Sequence, residues 1–304
     1  MENTIFDVII VGGGPAGYTA ALYTARNGYR VAVIEMLAAG GQMATANLIE
    51  NYPGFPEGID GVELGLKMQA GAERFGAATI YDEVVEYKLK EEVKEVIGHK
   101  GRYRAKSVVL AIGAFPRKLG IEMENEMLGK GIAYCALCDG MRYKKKDVLV
   151  VGGGNSAITD AIYLTKICKS VTIVHRRNSL SASKKYLEDM KSLPIKILWN
   201  SKVTKLLYHE NITGAVIEDI NTGAMWEQKC DAIFIDIGRI PNTEFLKNQV
   251  ELDEKGYISA QEDTKTNLPG VFAVGDARTK ELRQIVTAVS DGAVAAYQIE
   301  KYLM

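Results

Sequence analysis

The chain spells one 29-residue pattern twice, 140 positions apart, and that repetition narrows the folds open to it. The first copy, Asp7 to Glu35, reads DVIIVGGGPAGYTAALYTARNGYRVAVIE, and the second, Asp147 to His175, reads DVLVVGGGNSAITDAIYLTKICKSVTIVH. Ten of the 29 aligned positions are identical, the three consecutive glycines among them. Each copy opens on a short β-branched apolar run, Val8–Val11 or Val148–Val151, suited to a strand buried on both faces of a parallel sheet. Glycines follow at once, then a helical stretch, then a second apolar run, Val31–Ile34 or Val171–Val174. Strand, turn, helix, strand is the repeating unit of a doubly wound α/β sheet.

The turns carry chemistry as well as geometry. In the first copy the small positions are Gly12, Gly14 and Gly17; in the second they are Gly152, Gly154 and Ala157. The first permits the tight turn, the second lets backbone approach a pyrophosphate, and the third must be small for helix and strand to pack. Pro15 and Ala16, and Asn155 and Ser156, begin helices whose free N–H groups face a phosphate. The two copies end differently. Glu35 closes the first, where an acid accepts hydrogen bonds from ribose hydroxyls and repels a 2′-phosphate. The second ends in His175-Arg176-Arg177, whose guanidiniums suit charge-assisted bonds to a 2′-phosphate. FAD at the first site and NADPH at the second are the expected pair.

Bulk properties exclude several other classes. At 304 residues the chain has room for about two domains. Its net charge, 37 − 38 = −1, offers no basic surface for nucleic acid. No apolar run approaches the roughly 20 residues of a membrane span. The start, MENTIFDVII, lacks a basic region and a small-residue cleavage site, so a cytoplasmic location is expected.

Of the four cysteines, Cys168 and Cys230 read as small buried hydrophobes. Cys135-Ala136-Leu137-Cys138 is a CxxC pair followed by Asp139, and reads as a zinc half-site, a redox dithiol or coincidence. Zinc needs two more ligands at suitable spacing, and His99, His175 and His209 do not cluster with the pair, so no metal is expected. A CxxC at a helix N-terminus can lower a thiol pKa and form a reversible two-electron couple. Asp139, if burial raises its pKa, can protonate a departing thiolate.

Two apolar runs each end in a small-residue turn before a proline, at Ser107–Ala114 before Pro116 and at Asp231–Gly238 before Pro241. They are expected to be crossings between domains. The chain then returns to a strand at Val271–Val274, Gly275-Asp276 and a final helix. The expected fold is therefore α/β, with two Rossmann-like dinucleotide-binding domains, the second inserted into the first. Residues 1–115 and 242–304 would bind FAD; residues 116–241 would bind NADPH and carry the dithiol.

Together GGGPAG at 12–17, Gly40-Gly41-Gln42, Asn51-Tyr52-Pro53-Gly54-Phe55, Cys135 to Asp139, His175-Arg176-Arg177 and Gly275-Asp276 with Arg283-Gln284 resemble the low-molecular-weight thioredoxin reductases nearly end to end. The resemblance implies FAD held by residues 12–17, Glu35, Gly41, Gln42, Asn51, Asp276, Arg283, Gln284 and Ile285. It implies NADPH held by Gly152, Gly154, Asn155, Ser156, Ala157 and the 175–177 cluster. It also implies a homodimer that passes electrons from NADPH through FAD and Cys135–Cys138 to thioredoxin, with Cys135 attacking and Cys138 nearer the flavin. Two positions depart from the family pattern: Ser181 stands where HRRxxxR has its last arginine, and Thr159-Asp160 stand where two acids are usual. Lys184 or Lys185 can compensate for the missing guanidinium. NADH or ferredoxin as donor, and a flavin-bound sensor without turnover, remain the alternatives.

Overall fold

The computed structural model describes residues 4–46 and 48–304; Met1–Asn3, where the reading for an export signal begins, and Asn47 lie outside the described residues. The chain starts with β1 (Ile5–Val11), α1 (Pro15–Arg26), β2 (Val31–Glu35), α2 (Gly61–Glu73) and β3 (Ala78–Tyr81). It continues through β4 (Val84–Lys88), β5 (Lys94–Gly98), β6 (Arg102–Leu110) and the short β7 (Ala114–Pro116). Next come β8 (Ile132–Ala133), α3 (Ala136–Asp139), β9 (Asp147–Gly152), α4 (Asn155–Thr165), β10 (Ser170–Val174) and α5 (Lys184–Lys191). After β11 (Ile195–Leu198) follow β12 (Ser201–Tyr208), β13 (Ile212–Asp219), β14 (Met225–Lys229), β15 (Ala232–Asp236) and the short β16 (Arg239–Pro241). The last elements are β17 (Val271–Ala273) and α6 (Ile285–Leu303).

The chain up to Phe115 together with Ile240–Met304 makes one compact unit, and Pro116–Arg239 makes another. The return to the first unit thus comes two residues earlier than the expected boundary at 242. Pro241 is buried, and a Cβ on Gly256 would touch its ring at 3.5 Å, so it packs with the first unit.

The first unit is built on a seven-stranded sheet in the order β3-β2-β1-β6-β5-β4, with β17 also on β6. The pairs β1–β2, β1–β6, β2–β3 and β6–β17 are parallel, while β4 and β5 run antiparallel. Val11 lies opposite Ile34 and Leu110, and Leu110 opposite Ala273. Gly12, Glu35, Ala111 and Gly275 therefore emerge at one carboxyl edge, where open α/β sheets bind ligands. The apolar run of β1 divides between two cores, as a doubly covered strand must. Ile9 and Val11 pack with Ile34, Val108 and Leu110, while Val8 and Ile10 pack with Ala20 and Ala21 of α1 and Ala295 and Ile299 of α6. Each such side chain contributes about 1.5–3 kcal/mol when fully buried.

The second unit repeats the plan with the parallel order β11-β10-β9-β15-β8 and adds an antiparallel sheet, β12-β13-β14. Val151 lies opposite Val174 and Ile235, and Gly152 opposite Asp236, which again aligns the strand ends. Its strand β9 is shared between two cores, with Leu149 and Val151 facing one and Val148 and Val150 the other. Among the described residues no helix is long and apolar enough to cross a membrane.

Candidate active site: two glycine turns and a dithiol

The glycines of the first turn meet three different demands. Gly12 has φ +106°, and a Cβ there would lie 2.4 Å from the Ala111 carbonyl oxygen. A Cβ on Gly17 would lie 1.9 Å from the Gly12 carbonyl oxygen, so helix and strand leave no room for one. Gly14 is unlike both. Its backbone is extended, φ −80° and ψ −177°, which any residue adopts, and a Cβ there would meet nothing within 4 Å. The protein itself has no need of glycine at this position.

The second turn repeats the pattern. A Cβ on Gly152 would lie 2.3 Å from the Asp236 carbonyl oxygen. Gly154, extended at φ −91° and ψ −176°, would bring its Cβ no closer than 3.9 Å to any side chain or backbone, there to Ser181 Oγ.

Around the first turn the structure gathers residues from distant parts of the sequence. The Gly40 amide donates to Gly13 O at 2.8 Å, and a Cβ on Gly41 would touch only Gly14, at 3.5 Å. The Gln42 side-chain amide donates to the Ala114 carbonyl oxygen. Asn51 donates to Gln284 Oε1 at 3.1 Å, joining its loop to the residue that caps α6 just before Ile285. Glu35 turns back onto the turn: Oε2 accepts the Gly13 N–H at 2.6 Å and Oε1 the Leu37 N–H at 3.1 Å. A carboxylate has about four acceptor positions, so capacity remains for a ribose hydroxyl. Arg283 donates to the carbonyl oxygens of Asp276, Arg278 and Lys280 at 3.0–3.3 Å and lies over the Tyr257 ring at 4.1 Å. It thereby fixes the backbone that carries Asp276.

One buried cluster beside this edge escaped the sequence reading. Asp291 of α6 accepts from Arg278 Nε at 3.0 Å, Arg278 Nη2 at 2.8 Å, Lys280 Nζ at 2.7 Å and the Gly275 N–H at 2.8 Å. Arg278 is 2% exposed and Asp291 5%. Burial alone would raise the Asp291 pKa, but hydrogen bonds from Arg278 and Lys280 hold it below the usual carboxylate range. The available signal was an aspartate as the one charged residue in the run Ile285–Ile299, which demands a buried partner.

In the second unit the three residues of the basic cluster separate. His175 is buried under the turn, where a Cβ on Gly153 would come within 2.2 Å of its ring, and its Nε2 bonds Ser179 O at 2.9 Å. Arg176 and Arg177 are exposed, and among the described residues neither side chain engages an ion pair or hydrogen bond. Ser181 is exposed but tied to the turn, its amide and hydroxyl both donating to Gly153 O, at 2.8 and 3.2 Å. The Ser183 amide donates to Asn155 Oδ1 at 2.8 Å, which brings the exposed Lys184 and Lys185 to the neighbourhood of the turn.

Cys135 and Cys138 form a disulfide with a Cα–Cα separation of 5.3 Å. Cys135 caps α3, its Sγ accepting the Cys138 N–H at 3.2 Å. Cys138 is exposed and Cys135 half-buried. Burial pushes the Asp139 carboxyl up, opposed by the charge of Arg142 at 3.6 Å. The remaining cysteines are disulfide-free. Burial pushes the Cys168 thiol up to about 11 and the Cys230 thiol to about 12, so neither forms a thiolate near neutrality.

Residues 6–292 match the family model described as pyridine nucleotide-disulphide oxidoreductase. The thioredoxin reductase of Streptomyces clavuligerus is 44% identical over 99% of this chain and 95% of its own length, and that of Listeria monocytogenes is 43% identical over the same shares. The chain belongs to this family, among its thioredoxin reductases. The crystal structure of thioredoxin reductase from Streptococcus pyogenes is 40% identical, covers 99% of each chain and superposes with a TM-score of 0.92. The thioredoxin reductase from Giardia duodenalis, at 32% identity and the same coverage, gives 0.93. The family's enzymes are FAD-dependent oxidoreductases that link a pyridine nucleotide to a disulfide.

Proposed function

We propose that the protein reduces the disulfide of thioredoxin with NADPH, holding FAD in the first unit and NADPH in the second, and cycling Cys135–Cys138 between disulfide and dithiol. The observation that carries this reading is a CxxC disulfide at a helix start in the same unit as a glycine turn ending in two free arginines.

Both turns fit a dinucleotide. At Gly14 and Gly154 the missing side chain serves no contact within the protein and leaves open space at a helix N-terminus. A pyrophosphate there would meet free N–H groups at the positive end of the helix. Glu35 would accept from the FAD ribose, while Gly41, Gln42, Asn51, Asp276, Arg283, Gln284 and Ile285 would line the rest of that site. Asn155, Ser156 and Ala157 would open the NADPH site, with His175 as its floor and Arg176 and Arg177 on the 2′-phosphate. When bound, FAD supplies a two-electron carrier between nicotinamide and disulfide.

The residues of the dithiol helix divide the remaining work. Opening the disulfide takes two electrons and two protons. Asp139, whose carboxyl burial pushes up against the opposing charge of Arg142, is placed to deliver one of these protons to a departing thiolate. Cys135 is the attacker, because its sulfur receives an N–H at the helix cap, which favours the thiolate. Its attack on the thioredoxin disulfide forms a mixed disulfide and releases one substrate thiol. Cys138 then resolves the mixed disulfide, restoring Cys135–Cys138 and freeing the second thiol. The reading includes a homodimer working in the cytoplasm, where protein thiols are kept reduced.

The test is anaerobic mixing of the flavin-loaded protein with NADPH, NADH or reduced ferredoxin, following flavin bleaching and thioredoxin reduction. NADPH should bleach the flavin fastest, and Cys138→Ser should bleach without reducing thioredoxin. Thioredoxin reduction by Cys138→Ser would sink the dithiol cycle, and flavin reduction without any disulfide turnover would favour a sensor.

A further inference from the structure

The second unit holds a pair of acids that this chemistry leaves unused. Asp160 lies on α4, and Asp236 ends β15 opposite Gly152. The two acids share one buried pocket of charge, and Asp236 Oδ2 is buried with no hydrogen-bond partner. Two carboxylates cannot satisfy each other, since neither can donate, and one proton between them is what would give the orphaned oxygen a partner. Burial, and then the charge of Asp160, push Asp236 well above the ordinary carboxyl range. Asp160 is raised as well, by burial. Arg239, in the segment after β15, is the cation facing both. On the dithiol side Asp160 Oδ2 accepts the Ala136 N–H at 3.0 Å, while Asp139 of the same helix pairs with Arg142. Ala136 is the first helical residue after Cys135.

We propose that Asp160 and Asp236 share a proton and act together as a positioning pair that sets the acidity of the Cys135 thiol. Free amides at the start of a helix favour a thiolate on the neighbouring sulfur. An anionic oxygen on the Ala136 amide takes up one of those donors and adds negative charge beside the sulfur. Both effects hold the thiol less acidic than its place at the helix cap alone would make it. While it is shared, the proton limits the pair to one negative charge; its loss as pH rises adds a second charge and pushes the thiol further up.

The proposal rests on the redox reading of Cys135–Cys138, and one preparation tests the two separately. Flavin-loaded protein is reduced with dithiothreitol, freed of reductant and alkylated with iodoacetamide between pH 5 and 10, with each cysteine quantified by mass spectrometry. Asp160→Asn keeps an oxygen for the Ala136 N–H but removes the charge. Its Cys135 alkylation midpoint should move to lower pH by about one unit, giving about tenfold more thiolate below the midpoint. Asp236→Asn keeps the Asp160 charge and should move the midpoint less, while sharpening the wild-type profile on its alkaline side. An unmoved midpoint in Asp160→Asn overturns the proposal, including the case of uniformly faster alkylation from loosened packing. If Asp160→Asn does not fold, an Asp236→Asn profile that superposes on wild type overturns it. Failure of the redox reading shows elsewhere, as wild-type dithiol that does not reduce thioredoxin.

Discussion

At the third small position of its glycine turn the first copy has Gly17, where a Cβ would sit 1.9 Å from a backbone carbonyl, and the second has the fully buried Ala157. At the strand end the contrast continues. Glu35 bends back and is held by the turn's own Gly13 N–H at 2.6 Å, whereas Arg176 and Arg177 reach into solvent above a buried His175. One repeated sequence has thus produced a site whose charge is locked into its own turn and another whose charges are free. On the function proposed above, the locked site suits a group that stays, and the free charges suit a nucleotide that exchanges at every turnover.

The most severe way to test this contrast is Gly17→Ala. The obstacle is the Gly12 backbone carbonyl, with the Ala111 methyl at 3.3 Å beside it, so no rotamer relieves it, and the expected cost is about 4 kcal/mol or more, above the usual range for overpacking. Thermal unfolding should show the loss, together with loss of bound flavin absorbance. A protein of wild-type stability would mean that α1 slides along β1 at no cost.

Next in size is Asp291→Asn, which removes the charge that two buried cations share. Breaking a buried pair costs about 3–5 kcal/mol, and the low end is expected because asparagine keeps an oxygen for the Gly275 N–H. The pH dependence has a definite sign. The Asp291 pKa is lower folded than unfolded, so its stabilisation is fully present above about pH 4 and is lost as pH falls through the folded value. Denaturant midpoints measured from pH 7 to pH 2 should converge between wild type and Asp291→Asn at the acid end. Parallel curves would show that the charge of Asp291 is not what stabilises the fold.

A third prediction concerns the free charges. Arg176→Ala and Arg177→Ala should each lower kcat/KM for NADPH by about tenfold to a hundredfold, the worth of a hydrogen bond to a charged group, and leave NADH unchanged. Equal losses with both nucleotides would place the arginines on the shared part of the molecule. Unchanged values with both would move the discrimination to Lys184 and Lys185.

Much of this was legible from the chain because periodicity and glycine spacing act locally. The run Val8–Val11, the turn at Gly12 and the acid at Glu35 belong to one βαβ unit, and short-range sterics decide their arrangement. The dithiol was equally plain, since a CxxC before a short helix needs no distant partner to be recognised. The illegible part is long-range pairing of charge. Asp291 meets Arg278 and Lys280 across a turn, and Asp236 meets Asp160 from a strand 76 positions away. No period relates such residues, and even where one of them stands out, as Asp291 does in α6, the sequence does not say which partner it meets. His175 shows the opposite error of emphasis: grouped with two arginines by sequence, it is turned inward because Gly153 leaves space for its ring.

The smallest predicted effect comes from giving the second turn the residue that the first one requires. Ala157 contacts no solvent, and a Cβ on Gly152 would come within 2.8 Å of its methyl group, so that methyl fills the space between turn and helix. Ala157→Gly removes one buried methyl and some helix propensity, together about 1–2 kcal/mol. The melting temperature should fall by a few degrees, with KM for NADPH unchanged, because on the proposed function selectivity on this side resides in the exposed arginines rather than in how closely α4 meets β9. If Ala157→Gly instead tightens NADPH binding, the looser packing of the second turn, and not its strand-end charge, is what separates the two copies.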